Sequence, residues 1–405
     1  MILAPDDAGR LAEMVAAALA DGTPLEVVGA GTKRGLGRPM QTATTLDLSR
    51  LAGVTLYEPA ELVMATGAGT RLAAIEAELK AHGQMLAFEP PDYGPLYGRP
   101  AGEHTIGGVL ATNLAGPRRI KAGAARDHFL GVGAVSGRGE AFKAGGRVVK
   151  NVTGYDLCKL LAGSHGTLAV MHSVTFKVLP VPEKARTILV FGLDAASAAS
   201  AMAAALGSPH EVVSAAHLPA PVAARSAVDF VHAAGASVTA VRIEGPEPSV
   251  AVRCTALRDL LGLRGPVEEL HSSRSSRLWA EIRDVARLLP DGDAALWRLS
   301  VAPMAGPGVV DAIARDLPAD CLFDWGGGLV WLAVAATGDA GGAVIRRAVD
   351  AAGGHATLVR APEPVRAVVA PFHPQPDGLA ALARRVKDGF DPRRLLNPGR
   401  MAPDL

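Results

Sequence analysis

Apolar residues at Leu11, Met14, Val15, Ala18 and Leu19 recur three and four positions apart, the spacing of one helix face, and Gly22 ends the run. The period then changes. "PLEVVGAG" reads as a short strand entering a glycine turn, and "TTLDLSRL" as a second strand. "ELVMATGAGTRLAAIEAELKAHG" predicts a strand, a glycine turn and an amphipathic helix that stops at Gly83. The next stretch, "QMLAFEPPDYGPLYGRPAGEHTIGGVLATNLAG", is dense in Pro and Gly, and a loop of that length inside a compact domain is usually functional or disordered. "FLGVGAVSGRGEAFKAGGRVV" has the texture of a hairpin. After it, "VVKNVTGYDLCKLLAGSHGTLAVMHSVTFKV" sets a capped helical turn between two strands. Thr153 is the expected N-cap there, Asp156 its capping-box partner and Gly163 the expected C′ glycine.

From about Pro180 the pattern becomes "PVPEKARTILVFG", "VTAVRIEG", "LWRLSVAP" and "LVWLAVAATG" as strands, with helices between, the first of them Ala-rich. That alternation predicts a sheet with helices on one face. His210 and His217 fall in a stretch expected to be helical, without metal partners, and read as structural histidines. "HSSRSSRLW" reads as a polar loop or helix start, and Trp279, Trp297, Trp325 and Trp331 as core or interface packing. The main boundary is placed near residues 180–184, with 381–405 as a tail returning to the first part. No internal repeat is evident.

Composition narrows the class. With 405 residues, two or three domains are expected at roughly 150 residues each. The 41 Lys and Arg against 40 Asp and Glu leave a formal net charge of +1, which gives no nucleic-acid or anionic-membrane surface. Cys158, Cys254 and Cys321 are scattered, so neither a disulfide framework nor a CxxC metal site is expected, and a reducing compartment suits them. The acidic start, with Asp6, Asp7 and Glu13, does not read as a signal peptide, and no apolar run approaches the ~20 residues of a spanning helix. A cytoplasmic protein is the expectation.

The chemistry lies in the glycine turns. "VVGAGTKRGLGRP" follows a strand directly, and backbone N–H groups in such a turn can converge on phosphate oxygens, with Lys33 and Arg34 adding charge. It is not a P-loop, which needs Gly-Lys-Ser/Thr at its end. It is not a Rossmann turn either. Gly29 and Gly31 fit, but Gly35 comes one residue late, and Gly35, Gly37 and Pro39 forbid the helix that follows in that motif, despite Asp47 at a ribose-binding distance. Alone it could be a surface turn. "ATGAGT", "EHTIGGVLATNLAG" and "LLAGSHGT" repeat the device, and one extended phosphate-bearing cofactor touching all four turns accounts for them together.

The segments "GAGTKRGLGR", "ELVMATGAGTRLAAIEAELKAHGQMLAFEPP", "TIGGVLATNLAGPRR", "AGAARDHFLG", "GGRVVKNVTGYDLCKLLAGSHGTLAVMHSVTFKVLP" and "FDPRRLLNPGRM" together resemble flavoproteins of the vanillyl-alcohol oxidase and p-cresol methylhydroxylase type. More narrowly, they resemble the FAD-binding subunits of bacterial glycolate oxidase (glycolate dehydrogenase). The resemblance implies an α+β chain: a two-subdomain FAD-binding fold over 1–181, an α+β cap domain over 182–380 for substrate or partner, and a tail, 381–405, returning to the FAD domain. It implies diphosphate contacts at Gly29, Ala30, Gly31, Thr32 and Lys33. Further cofactor contacts are implied at Thr105, Gly107, Gly108, Asn113, Gly154, Tyr155, Gly163, Ser164, Gly166, Thr167 and Asn397, with Arg400 also near the ring or substrate. The first turn has no His of the kind that tethers flavin covalently in some relatives, so non-covalent FAD is implied.

The same resemblance implies oxidation of a small 2-hydroxy acid, glycolate to glyoxylate, by an assembly. A larger FAD-containing subunit and an iron–sulfur subunit are the implied partners, with peripheral attachment at the inner membrane through the complex. Larger relatives carry a Gly-Asp-Gly-Asn-x-His metal and base cluster; here "PFHPQPDG" supplies only His373, and His165 stands where many relatives have an acid. No metal site is expected. Oxidising a 2-hydroxy acid needs a base and a carboxylate-binding cation. His104 is a candidate base beside His373, and Arg118, Arg119, Lys121 and Arg126 are candidate cations, although small basic clusters are more often solvated surface. A self-sufficient oxidase of another hydroxy acid or alcohol, and a non-catalytic flavin-fold subunit, stay open as alternatives.

Overall fold

The computed structural model describes residues 1–148, 154–289 and 294–405. The chain separates into two compact units, Met1–Ala115 with Gly123–Val181 and Pro374–Leu405, and Gly116–Ala122 with Pro182–His373. The returning segment thus starts at Pro374, ahead of 381, because it includes the whole helix Asp377–Phe390, which is fastened to the first unit by Lys387 and Phe390. Gly116–Ala122, expected within 1–181, goes with the second unit, where Arg118 pairs with Glu244 at 2.6 Å and the Trp325 indole donates to the Gly116 carbonyl. Among the described residues no helix is long and apolar enough to cross a membrane.

In the first unit the helix Ala8–Asp21 starts at Asp7, whose carboxylate accepts from Arg10 N–H at 2.8 Å, and stops at Gly22 in the left-handed region. Leu11, Val15 and Ala18 bury against Leu25, Leu46 and Leu48. Leu25 and Leu46 belong to a three-stranded parallel sheet ordered Ile2–Leu3, Thr44–Asp47, Leu25–Val28, and Leu48 directly follows its middle strand. A side-chain cap contributes about 1 kcal/mol, so Asp7→Ala should lower stability by about that much in chemical denaturation. No measurable change would show that water replaces the cap. A five-stranded antiparallel sheet, ordered Val54–Glu58, Val63–Gly67, Ala169–Lys177, Phe129–Ser136, Ala141–Gly145, completes the unit, with the helix Leu72–Ala81 following Val63–Gly67.

The second unit is an eight-stranded antiparallel sheet. Its sequence shows no repeat, yet it contains the order strand–helix–strand–strand–helix–strand twice. The first copy is Lys184–Phe191, Ala195–Leu206, Ser214–Leu218, Val238–Gly245, Glu247–Gly262 and Val267–His271. The second is Ala294–Ser300, Gly306–Ala314, Asp320–Asp324, Leu329–Ala335, Gly342–Ala351 and His355–Arg360. The copies join where Ser214–Leu218 meets Asp320–Asp324, at His217 and Phe323.

Two expectations are corrected here. His217 lies on a buried central strand and not on a helix; its Nδ1 is 2.9 Å from Thr239 Oγ1, and burial pushes its pKa down to about 4. Sheet burial on all sides overrides the helical leaning of an Ala-rich stretch. Helices also cover both faces. Ile188 and Val190 face Met202 and Leu257, whereas Thr187 points to the other face, bonding Ser275 and the Trp279 indole of helix Ser272–Arg283.

Candidate cofactor cleft

The strand Leu25–Val28 is held on both edges. One edge pairs with Thr44–Asp47. On the other, Leu25 N–H donates to Leu395 O, Asn397 N–H to Leu25 O, and Val27 N–H to Asn397 Oδ1 at 2.8 Å, so the returning tail serves as a short extra strand. Asn397 Nδ2 also donates to His165 O at 2.8 Å. One side chain therefore ties the end of the strand to the 163–167 turn. Below it, Lys387 Nζ bonds the carbonyls of Thr167 and Leu396 and the Asp391 carboxylate, all out of contact with solvent.

Where the strand ends, an open cleft begins. Gly29–Lys33 line one side, Thr105, Gly107 and Gly108 another, and His165, Gly166, Asn397 and Arg400 a third. Gly29 is required by proximity: a Cβ there would collide with Thr105 Oγ1. Gly31 is required by conformation, at φ 71°. Among the described residues, the N–H groups of Gly29, Ala30, Gly31 and Thr32 donate to no protein acceptor. A turn of four spare donors needs an anionic guest or water.

The helix Ile106–Thr112 offers no such donors. Its first N–H groups are taken by Thr70 O, Ala68 O, Thr105 Oγ1 and Thr105 O. Its glycines act through space: Gly107 lets the helix approach Ala68, and Gly108 lies beside Lys33 Nζ.

The electrostatics favour an anion. Among the described residues no Asp or Glu lines the cleft, while Lys33, Arg34 and Arg400 do. Arg34 is engaged with Glu26, and Arg400 donates to Lys33 O at 2.9 Å. Lys33 is 8% exposed and makes no hydrogen bond or ion pair through its ammonium among the described residues. Burial lowers its pKa to about 8, against a smaller opposing pull from Asp92. His165 is pushed down to about 3 by burial and the charge of Arg400, so it faces the cleft as a neutral imidazole.

Several expected site residues stand elsewhere. Tyr155 is 92% exposed and Gly154 is exposed beside it; neither lines the cleft. The cause is the helix start: Asp156 caps Leu157–Leu161 by accepting from Lys159 N–H, which leaves Tyr155 ahead of the cap in solvent. Thr153 lies outside the described residues. Asn113, Gly163, Ser164 and Thr167 sit behind the cleft. Asn113 ends the helix Ile106–Thr112 in the left-handed region and accepts from Arg126 N–H; Gly163, also left-handed, donates to Leu110 O; Thr167 closes its turn onto Ser164 O.

His104, Arg118 and His373 are committed to internal partners. His104 is buried with Nδ1 3.0 Å from Asp92 Oδ1 and does not line the cleft. Burial opposes ionisation of Asp92, but hydrogen bonds from His104, Gly102 and Gly94 together hold its carboxyl well below the usual range. In the second unit, Arg118 is buried against Glu244, and His373 pairs with Asp350 at 2.8 Å while accepting from Ala356 N–H. Lys121 pairs with Glu211, Arg119 stands over the Trp325 ring, and Arg126, in the first unit, is exposed. Among the described residues no three His, Cys, Asp or Glu side chains form a metal-binding group. His165 was the cleft residue least visible in the sequence; its place inside the Gly-Ser-His-Gly-Thr turn was the available signal.

Comparison with known proteins agrees with a flavin site. The family described as "FAD binding domain" matches residues 1–145. The chain is 35% identical over 400 residues to the glycolate oxidase subunit GlcE of Escherichia coli, covering 99% of both chains. It is 26% identical to the glycolate oxidase subunit GlcD of the same organism, covering 94% of this chain and 79% of that one. Its fold matches p-cresol methylhydroxylase with a TM-score of 0.70 at 14% identity, over all of this chain and 88% of the other.

Proposed function

The chain belongs to the family of GlcE-type glycolate oxidase subunits, and from that premise we propose that it is the FAD-carrying subunit of a complex oxidising glycolate to glyoxylate, beside a larger flavin subunit and an iron–sulfur subunit that takes the electrons. It is an FAD-dependent oxidoreductase of the p-cresol methylhydroxylase fold. When bound, the flavin supplies the two-electron acceptor for the CH–OH group. The observation that carries the reading is the Gly29–Thr32 turn with four spare N–H donors beside a buried, unpaired Lys33 ammonium and no acid. That donor set fits a diphosphate.

This chain's residues bind and orient. The amides of Gly29 to Thr32 and Lys33 would hold the diphosphate, while Gly107 lets its helix approach Ala68, Gly166 lets its turn approach Asn397, and Asn397 fixes the walls. Non-covalent binding is supported by a turn without His or Cys, and dependence on a partner by the engagement of His104, Arg118 and His373 elsewhere.

The test is the visible spectrum of the purified chain before and after anaerobic glycolate. The expected result is bound FAD, released by acid precipitation, that glycolate leaves oxidised until the partner subunits are added. Bleaching by glycolate alone would overturn partner dependence. Failure to bind added FAD would overturn the cofactor assignment itself.

A further inference from the structure

We propose that Lys33 couples cofactor binding to proton uptake: seating a diphosphate in the Gly29–Thr32 turn fixes a proton on this side chain, so that the dinucleotide is held near neutral pH and released in alkaline solution. The inference rests on the cofactor reading and adds to it a residue, a direction and a pH range.

Among the described residues, no side chain or carbonyl bonds the Lys33 ammonium. Its side chain is buried at the edge of the cleft, with Nζ 3.4 Å from where a Cβ on Gly108 would stand. Among the described residues, the charged groups that line the cleft or act on Lys33 are either of the same sign or already engaged. On its own turn, Arg34 is paired with Glu26. From the loop over the turn, Asp92 attracts it but is bonded by Gly94 N–H, Gly102 N–H and His104. From the 163–167 turn comes His165, neutral, and from the tail comes Arg400, positive and bonded to the Lys33 carbonyl. A buried ammonium without a contacting carboxylate is an ill-solvated charge. Its pKa of about 8 in the empty cleft is the consequence of that burial.

A diphosphate removes the problem. Two negative charges within hydrogen-bond distance favour the ammonium form, so the Lys33 pKa rises on binding. The sign then follows. Below about pH 8 the empty cleft already holds the proton and affinity is at its plateau; above it, binding must recapture a proton, and the dissociation constant rises about tenfold per pH unit until the bound-state pKa is reached. Apoprotein stability moves the other way. The Lys33 pKa is lowered on folding, so between about pH 8 and the unfolded value of 10.5 the unfolded chain holds the extra proton and this side chain favours the folded apoprotein increasingly as pH rises. Alkaline pH thus stabilises the empty cleft while weakening the filled one.

The experiment is FAD binding by flavin fluorescence from pH 6.5 to 9.5, with calorimetry at pH 8 in two buffers of different ionisation enthalpy, on wild type, Lys33→Met and Lys33→Arg. Wild type should bind with constant affinity to about pH 8, weaken about tenfold per unit beyond it, and take up roughly half a proton per FAD at pH 8. Lys33→Met should bind on the order of a hundredfold more weakly at pH 7, without the slope, while melting no lower than wild type as apoprotein. Lys33→Arg, always charged, should keep most of the affinity without the slope. A flat wild-type profile with no proton uptake, or the same slope in Lys33→Met, overturns the proposal and leaves the cofactor assignment standing. Absence of FAD binding at every pH removes both.

Discussion

Replacing Asp391 by alanine is expected to lower stability by about 3–5 kcal/mol, the usual cost of leaving one member of a buried ion pair alone. The pair is enclosed, Lys387 at 1% and Asp391 at 0% exposure. Asp391 does more than balance the charge. Its Oδ1 accepts from Leu395 N–H and its Oδ2 from Leu396 N–H and Lys387 Nζ, at 2.8–2.9 Å. Alanine would strand two buried amides as well as the ammonium. Lys387→Met removes the partner but leaves the carboxylate its two backbone donors, so the loss should be smaller, and the double variant should cost less than the two single losses added. Urea denaturation of all three at pH 7 measures this cycle. A loss under about 1 kcal/mol for Asp391→Ala would mean that water reaches the pair.

The loss should also reach the cleft. Lys387 binds Thr167 O on the 163–167 turn and Leu396 O, the residue before Asn397, which touches both the turn and the strand Leu25–Val28. The tail is the part least readable in advance. "FDPRRLLNPGRM" pointed to the cleft only through resemblance, because nothing local says that a Lys four residues before an Asp is buried rather than a solvated helical pair. The first glycine turn was legible for a physical reason: a strand ending in Gly-Ala-Gly-Thr has few uses for so much conformational freedom. Tyr155 was expected at the cofactor through resemblance alone; the helix Leu157–Leu161 starts at Asp156, one residue after it, and the side chain stands in solvent. The duplicated topology of the second unit left no trace in sequence because antiparallel pairing asks only for alternating apolar residues, which many sequences supply.

Gly29→Ala should weaken FAD binding by on the order of a hundredfold, in line with the 1–3 kcal/mol of a forced small-to-large change. The added methyl would collide with Thr105 Oγ1 and stand 3.2–3.3 Å from Thr105 Cγ2 and Cβ. Neither side can yield easily. Gly29 continues the strand Leu25–Val28, which is bonded on both edges, and Thr105 caps the helix Ile106–Thr112 through Gly108 N–H. The turn must therefore shift, and with it the four amides proposed to hold the diphosphate. A second-site change separates this from general damage. Thr105→Ala removes Oγ1 and Cγ2, at the expense of about 1 kcal/mol of capping, and should restore much of the affinity when combined with Gly29→Ala while weakening binding only slightly alone. Gly31→Ala supplies the contrast: its new Cβ meets nothing nearer than 3.8 Å, so its penalty is the roughly 1–2 kcal/mol of a left-handed backbone and Thr105→Ala should not relieve it. Fluorescence titration of the apoproteins with FAD reads all five. If Thr105→Ala rescues neither variant, the close approach of Gly29 to Thr105 is not what sets the turn, and if it rescues both, the two glycines share a single steric cause rather than the separate ones seen in their geometry.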